Sequence, residues 1–380
     1  MIVAGERSGD IYGARLAAAL HARLPEIEVF GCGGELMRGA GVETIVDSHE
    51  FAMVGITEVV SGLPRAYRGF HALLDEAERR RPELAILIDS PSLNIRLAKR
   101  LKNRGITVVY FISPQIWAWK RWRLGQLKTR IHKMLCIFDF EEPIYRQAGI
   151  PVEYVGHPLV DTVHASLGRE EFFAQAGLDP QVPTVALLPG SRQIELAFNL
   201  PILLDAAAQV ASARHVQFAL SVAPTVNAEW IRTTMLRGYE QRAMIRTVSA
   251  PYDALRHSDL AVVASGTATI EAALLECPMV VVYRVSPVTA FFARFMINVP
   301  FYSMVNLLAG KPLVKELIQS DFTVQNVAAQ IEYLLDNAGA REQIARELHA
   351  LRTHLGSGGA IDRVAESAIA MMRRRDPVRV

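Results

Sequence analysis

Two stretches of this chain read as a short apolar strand, a tight polar turn and the start of a helix. One is Ile2-Val3-Ala4-Gly5-Glu6-Arg7-Ser8-Gly9-Asp10. The other is Val185-Ala186-Leu187-Leu188-Pro189-Gly190-Ser191-Arg192, which runs into a helix near Glu195. In a doubly wound α/β unit the small residues of such a turn let backbone approach a ligand, and the helix N-terminus offers N–H groups. Two openings half a chain apart imply two Rossmann-like domains facing across a cleft. That arrangement suits an enzyme with a nucleotide on one domain and a second substrate on the other.

The rest of the chain agrees with an α/β class. Buried-strand patterns occur at 3–4, 28–30, 84–88, 107–111 and 133–137, with helical patterns at 11–24, 66–80 and 93–103. Strands recur at 184–188, 217–221, 260–264 and 279–283, and helices follow at 324–336, 341–354 and 361–374. Such alternation predicts parallel sheets. The expected division is an N-terminal domain over 1–160 and a C-terminal domain over 161–355. A last helix within 356–380 is expected to cross back to the first domain or meet a partner subunit.

At 380 residues each domain has room for its own core, and 51% of the residues are hydrophobic. No apolar run reaches 18 residues, so no spanning helix is expected, and no export signal is read at the N-terminus. Cys32, Cys136 and Cys277 are scattered, which fits a reducing compartment and no metal site. Net charge is near zero, yet residues 61–133 carry 16 Lys/Arg against 5 Asp/Glu. Solvated helix faces explain single arginines. A domain-wide excess points to an anionic surface or substrate.

Several segments carry candidate chemistry, each with a plainer alternative. Asp89 ends the apolar strand 84–88, where carboxyl ends of parallel strands face a ligand crevice. It is placed as a general base, or it caps the next helix. Arg192 in Pro189-Gly190-Ser191-Arg192 suits a phosphate, or is a surface residue on a turn. Glu195 completes that site or favours the first helical turn. Ser265, Thr267 and Glu271 form a second anion and ribose candidate, or a capped helix start. Ser8 and Gly9 bind an acceptor or only turn the chain. His157 and Asn306 suit a cleft by position, although a lone histidine is more often structural. The apolar stretch 51–60, and Trp117, Trp119 and Trp122 alternating with Lys120, Arg121 and Arg123, suit a membrane interface or a core.

Taken together, these segments resemble the lipid-A-disaccharide synthases, inverting glycosyltransferases of the two-Rossmann GT-B type. The matching stretches are Gly5-Glu6-Arg7-Ser8-Gly9-Asp10, Ile88-Asp89-Ser90-Pro91 with Asn94, Ser113-Pro114-Gln115-Ile116-Trp117-Ala118-Trp119 and Val155-Gly156-His157-Pro158-Leu159. Leu188-Pro189-Gly190-Ser191-Arg192 with Glu195, Ala264-Ser265-Gly266-Thr267-Ala268-Thr269, Asn306-Leu307-Leu308-Ala309-Gly310 and Leu313-Val314-Lys315-Glu316-Leu317 continue the order.

The resemblance implies transfer of 2,3-diacylglucosamine from UDP-2,3-diacylglucosamine to 2,3-diacylglucosamine 1-phosphate, giving a β-1,6 disaccharide 1-phosphate and UDP. It implies no cofactor, no metal and no nucleic acid. The implied location is the cytoplasmic face of the inner membrane, peripherally bound, with a homodimer as one expected assembly. By motif position it implies Asp89 as the base, Arg192 at the diphosphate, and Glu6, Ser8, Asp10, Glu195, Ser265, Thr267, Glu271, Asn306 and Glu316 around the substrates. The nearest alternative is another GT-B enzyme using a UDP-sugar, or a UDP-sugar epimerase. A solute-binding protein and a nicotinamide enzyme are more distant, the latter because 5–10 lacks GxGxxG spacing.

Overall fold

A computed structural model of the protein describes residues 1–51, 56–116, 123–223, 226–239, 243–286, 290 and 299–373. The chain forms two compact units, Met1–Asp161 with Leu355–Val380, and Thr162–His354.

Unit 1 alternates strand and helix: β1 (Ile2–Ala4), α1 (Arg7–Arg23), β2 (Phe30–Gly33), α2 (Glu35–Gly39), β3 (Glu43–Asp47), α3 (Ile56–Arg80), β4 (Leu84–Ile88), α4 (Pro91–Asn103), β5 (Thr107–Phe111), α5 (Arg123–Arg130), β6 (Lys133–Cys136), α6 (Glu141–Gln147) and β7 (Val152–Tyr154). Its strands are all parallel, in the order β3-β2-β1-β4-β5-β6-β7. Unit 2 contains α7 (Arg169–Ala176), β8 (Thr184–Leu188), α8 (Gln193–Ala213), β9 (Gln217–Ser221), α9 (Ala228–Trp230), β10 (Met244–Val248), α10 (Pro251–His257), β11 (Leu260–Ala264), α11 (Thr267–Leu274), β12 (Met279–Tyr283), α12 (Met304–Ala309), β13 (Lys315–Ile318), α13 (Val324–Asp336) and α14 (Ala338–Leu355). Its parallel sheet runs β10-β9-β8-β11-β12-β13.

The last helix, α15 (Ala360–Arg373), packs on unit 1. Asp362 pairs with Arg23 of α1 at 2.8 Å, and Arg363 Nε donates to the Val155 carbonyl at 2.8 Å.

The central strands β4, β5, β8, β9 and β11 are buried at every residue. With helices on both faces they read as continuous apolar runs. Four strands lay outside the sequence expectation: β3, β7, β10 and β13. All four are sheet edges, and they carry half-exposed or charged residues such as Glu43, Glu153, Arg246 and Lys315. An edge strand blunted with charge lacks the buried-run signature. The strand expected at 28–30 instead spans Phe30–Gly33. A Cβ on Gly31 would lie 1.9 Å from the Ile2 carbonyl oxygen, so only glycine passes β1 there.

α8 is the one helix among the described residues long and apolar enough to cross a membrane. Its Leu196, Leu200, Leu203, Leu204 and Val210 instead join Leu187, Phe218 and Val262 in the core of unit 2. Residues 52–55 of the apolar stretch 51–60 and the tryptophan cluster of 117–122 lie outside the described residues, and 56–60 open α3.

Candidate active site

In unit 1 the strand order reverses between β1 and β4, which pair directly through Ala4 and Ile88. The segments that follow these two strands therefore lie side by side at the switch point of the sheet. Gly5–Asp10 comes from β1 and Asp89-Ser90-Pro91 from β4. A Cβ on Gly5 would stand 2.9 Å from Ser90 Oγ, a close approach that glycine permits.

Asp89 and Ser90 both take left-handed backbone conformations, with φ of 49° and 42°. For non-glycine residues this costs about 1–3 kcal/mol each unless the surroundings impose it. Here they do. Asn94 Nδ2, on the buried face of α4, donates to the Ile88 and Asp89 carbonyls at 3.0 and 2.8 Å. Tyr110 Oη on β5 donates to the same Asp89 carbonyl at 2.6 Å, and the Asp89 N–H donates to the Phe111 carbonyl at 2.9 Å. The Asp89 peptide is thus held from two elements at the strand end.

Ser90 is the N-cap residue of α4, and no side-chain cap bond is present. Burial raises the Asp89 carboxyl to about 6, with the nearby negative charge of Glu6 adding and the Ser90 amide opposing. Two buried polar atoms at the same turn, Ser90 Oγ and Asn94 Oδ1, have no partner among the described residues. In a folded protein such groups are met by ordered water or by a ligand. Ser8 is exposed in the first turn of α1, and Glu6 is half-buried at its N-cap.

Unit 2 repeats the geometry at the β8/β11 reversal, bringing Pro189–Arg192 beside Ser265–Thr267. The two loops differ. At the first, Glu195 turns back and accepts from the Ser191 and Arg192 amides at 2.9 and 3.3 Å. The protein thereby supplies its own anion to that helix start. Arg192 stays exposed, 3.7 Å from Glu195, and Asn199 Nδ2 holds the loop by donating to the Pro189 carbonyl at 2.9 Å. At the second loop Gly266 is the N-cap of α11 and no side chain caps it. The Ser265 amide is committed to the Val282 carbonyl and that of Thr269 to the Gly266 carbonyl, so the donors of an anion site there are those of 266–268. Ser265 Oγ donates to the Tyr302 carbonyl at 2.9 Å, and Thr267 is exposed. Glu271 accepts from Tyr252 Oη at 3.3 Å, and burial raises its carboxyl.

Three of the expected substrate contacts hold framework bonds. Asp10 is buried and accepts from the amides of Gly34, Leu36 and Met37, fixing the start of α2. Glu316 on β13 accepts from the Tyr302 and Ser303 amides, Ser303 Oγ and Asn306 Nδ2. Asn306 also exchanges two bonds of 2.9 Å with the Val314 backbone and is fully buried. These side chains are hydrogen-bonded within the protein itself. His157 is likewise structural: it is buried against Phe138, its Nδ1 accepts from the Leu159 amide, and burial lowers it to about 4.

The sequence motifs leave out Tyr110 and Asn199 and include Asn94 only beside Ile88-Asp89-Ser90-Pro91. A lone asparagine on the apolar face of a helix just after a strand-end turn is the signal that marks Asn94 and Asn199.

With these sites in place, the family model for "Lipid-A-disaccharide synthetase" matches residues 1–368. The chain belongs to the lipid-A-disaccharide synthase family of glycosyltransferases. Among relatives bearing the name lipid-A-disaccharide synthase, that of Koribacter versatilis is 44% identical over 99% of both chains. That of Myxococcus xanthus is 41% identical over 98% of this chain and 97% of its own. Solved structures share the GT-B fold at low identity. A UDP-GlcNAc 2-epimerase from Neisseria meningitidis bound to UDP-GlcNAc superposes with TM-score 0.65 at 12% identity, covering 97% of this chain and 99% of its own. A glycosyltransferase from Rickettsia africae does so with TM-score 0.59 at 10%, covering 99% and 98%. The family therefore rests on the sequence relatives, and the epimerase likeness speaks to fold alone.

Proposed function

We propose that the chain transfers 2,3-diacylglucosamine from UDP-2,3-diacylglucosamine to the 6-hydroxyl of 2,3-diacylglucosamine 1-phosphate, releasing UDP. Asp89 takes the hydroxyl proton as the oxygen attacks the anomeric carbon from the face opposite UDP. In-line displacement of this kind needs an activated nucleophile and stabilisation of the departing diphosphate. Arg192 and the amides of 266–268 meet that charge, with Glu271 at the ribose, Ser8 at the acceptor and Glu6 lifting the Asp89 pKa.

The observation that carries the reading is Asp89 itself. A carboxylate at the switch point of unit 1, held in a strained conformation and raised to about 6, is ionised at neutral pH yet basic enough to accept a proton. The basic excess of 61–133 and the acylated substrates support peripheral attachment to an anionic inner-membrane leaflet on the cytoplasmic side.

The test is incubation of purified protein with both acylated sugars, with and without EDTA. Equal UDP and β-1,6 disaccharide in both arms is expected. No product with this pair, or product only with added Mg²⁺ or Mn²⁺, contradicts the assignment.

A further inference from the structure

Many cations of unit 1 are paired. Arg23 meets Asp362 at 2.8 Å, Arg38 meets Asp47 at 2.9 Å, Arg104 meets Glu78 at 3.2 Å, Lys133 meets Glu153 at 2.6 Å and Arg146 meets Glu142 at 2.7 Å. Arg80 lies between Glu43 and Glu76. One group is different. Arg96, Lys99 and Arg100 stand on the exposed side of α4, at the three- and four-residue spacings that align side chains on one helix face. Arg130 joins them from the last turn of α5 and Phe70 from α3, and the five line a cavity of about 320 Å³. No acidic residue lines it. Among the described residues none of the four cations has an ion-pair partner, and Arg130 is anchored only by donating to the Ile95 carbonyl at 3.2 Å.

Like charges at these spacings repel, and an anion in the cavity would relieve that repulsion. Three guanidinium forks and one ammonium converging on one small space match phosphate oxygens better than a single carboxylate. The cavity admits a phosphate with a short organic stub and is too small for a diacylated sugar. It also lies apart from the base: Asp89 precedes α4, whereas these residues occupy its middle turns and face away from the buried Leu93, Asn94 and Leu97.

We propose that this cavity is a binding site for a phosphate ester, its oxygens held by Arg96, Lys99, Arg100 and Arg130 and its first carbons against the Phe70 ring. The headgroup of an anionic glycerophospholipid and a free phosphorylated metabolite share this chemistry. The inference does not depend on the role of Asp89.

The test compares the full-length wild type, R96Q/R100Q, and the control R79Q/R146Q, which removes the same charge from paired arginines. Melting curves verify that each is folded. The probes are glycerol 3-phosphate by calorimetry, and phosphatidylcholine vesicles with and without phosphatidylglycerol by sedimentation. At about 1 kcal/mol per cation near an anionic surface, R96Q/R100Q should bind the anionic vesicles about 30-fold more weakly than wild type or control. Loss of glycerol 3-phosphate binding as well assigns a free ester as sufficient ligand, and loss confined to vesicles assigns the lipid headgroup. Equal behaviour of wild type and R96Q/R100Q with both probes, or an equal loss in the control, overturns the proposal. Vesicle binding that is strong but indifferent to R96Q/R100Q would leave membrane attachment standing and remove only this site.

Discussion

The switch points of the two units are built alike and equipped oppositely. In unit 1 the loop after β4 presents a carboxylate, and the protein spends backbone strain and burial to keep it there. In unit 2 the loops after β8 and β11 present helix starts, one closed by Glu195 and one left uncapped. A parallel α/β sheet brings two loops together wherever its order reverses. Which chemistry results depends on whether the loop carries a raised acid or free donors. In the proposed reaction proton transfer belongs to unit 1 and charge stabilisation to unit 2, and each half can be broken separately.

The largest effect is expected at Asp89. Asp89→Asn should lower turnover by roughly 10²-fold or more while UDP affinity is retained. It should also stabilise unit 1. A carboxyl raised to about 6 from its ordinary 3.8 penalises the folded state once ionised. The penalty is absent below pH 3.8 and complete above pH 6, so stability falls as pH rises between them. Asparagine escapes it, and a gain of about 1–3 kcal/mol near pH 7.5 is expected in denaturant unfolding. Lower stability together with normal turnover would break the comparison on the unit 1 side.

Next comes Asn94→Ala, which frees the Ile88 and Asp89 carbonyls. Stability should drop by about 2 kcal/mol, and turnover should fall about 10- to 100-fold as the carboxylate loses its aim. Unchanged turnover in a folded variant would mean that the strained turn is incidental. A smaller effect is expected at Arg192. Arg192→Ala should weaken UDP binding about tenfold, the scale of one charge-assisted contact, with lysine restoring part of it. Calorimetry showing wild-type affinity would place the diphosphate elsewhere. Smallest is Glu195→Ala. Losing a residue that satisfies a helix start should cost about 1 kcal/mol of stability and leave UDP affinity within a few-fold. A large loss of affinity would return Glu195 to the binding site.

The difference between the units also marks what was legible in the sequence. Strands buried on both faces, such as Leu84–Ile88 and Leu260–Ala264, announce themselves, and with them the strand ends that carry Asp89 and Ser265. Charged edge strands do not. At the sites, the sequence revealed where carboxylates and helix starts lie, but not which anion serves which donor. Asp10 and Glu316 sit where a ligand contact belongs by pattern, yet each accepts from amides of its own chain. Local sequence cannot separate an anion that the fold supplies from one that a ligand supplies, because the partner amides of Gly34 or Ser303 are brought near by tertiary packing. Tyr110 was hidden for the same reason: its phenol reaches Asp89 only across two paired strands.

The central claim is that a buried, ionised Asp89 accepts the proton. The pH dependence of kcat/KM, which reports the groups of the free protein, tests it most directly. The account predicts a rate that falls tenfold per pH unit below an apparent value of about 6 and is level above it, with that limb absent from the residual activity of Asp89→Asn. A wild-type rate that stays level down to pH 4.5, or a limb that persists in Asp89→Asn, would contradict it.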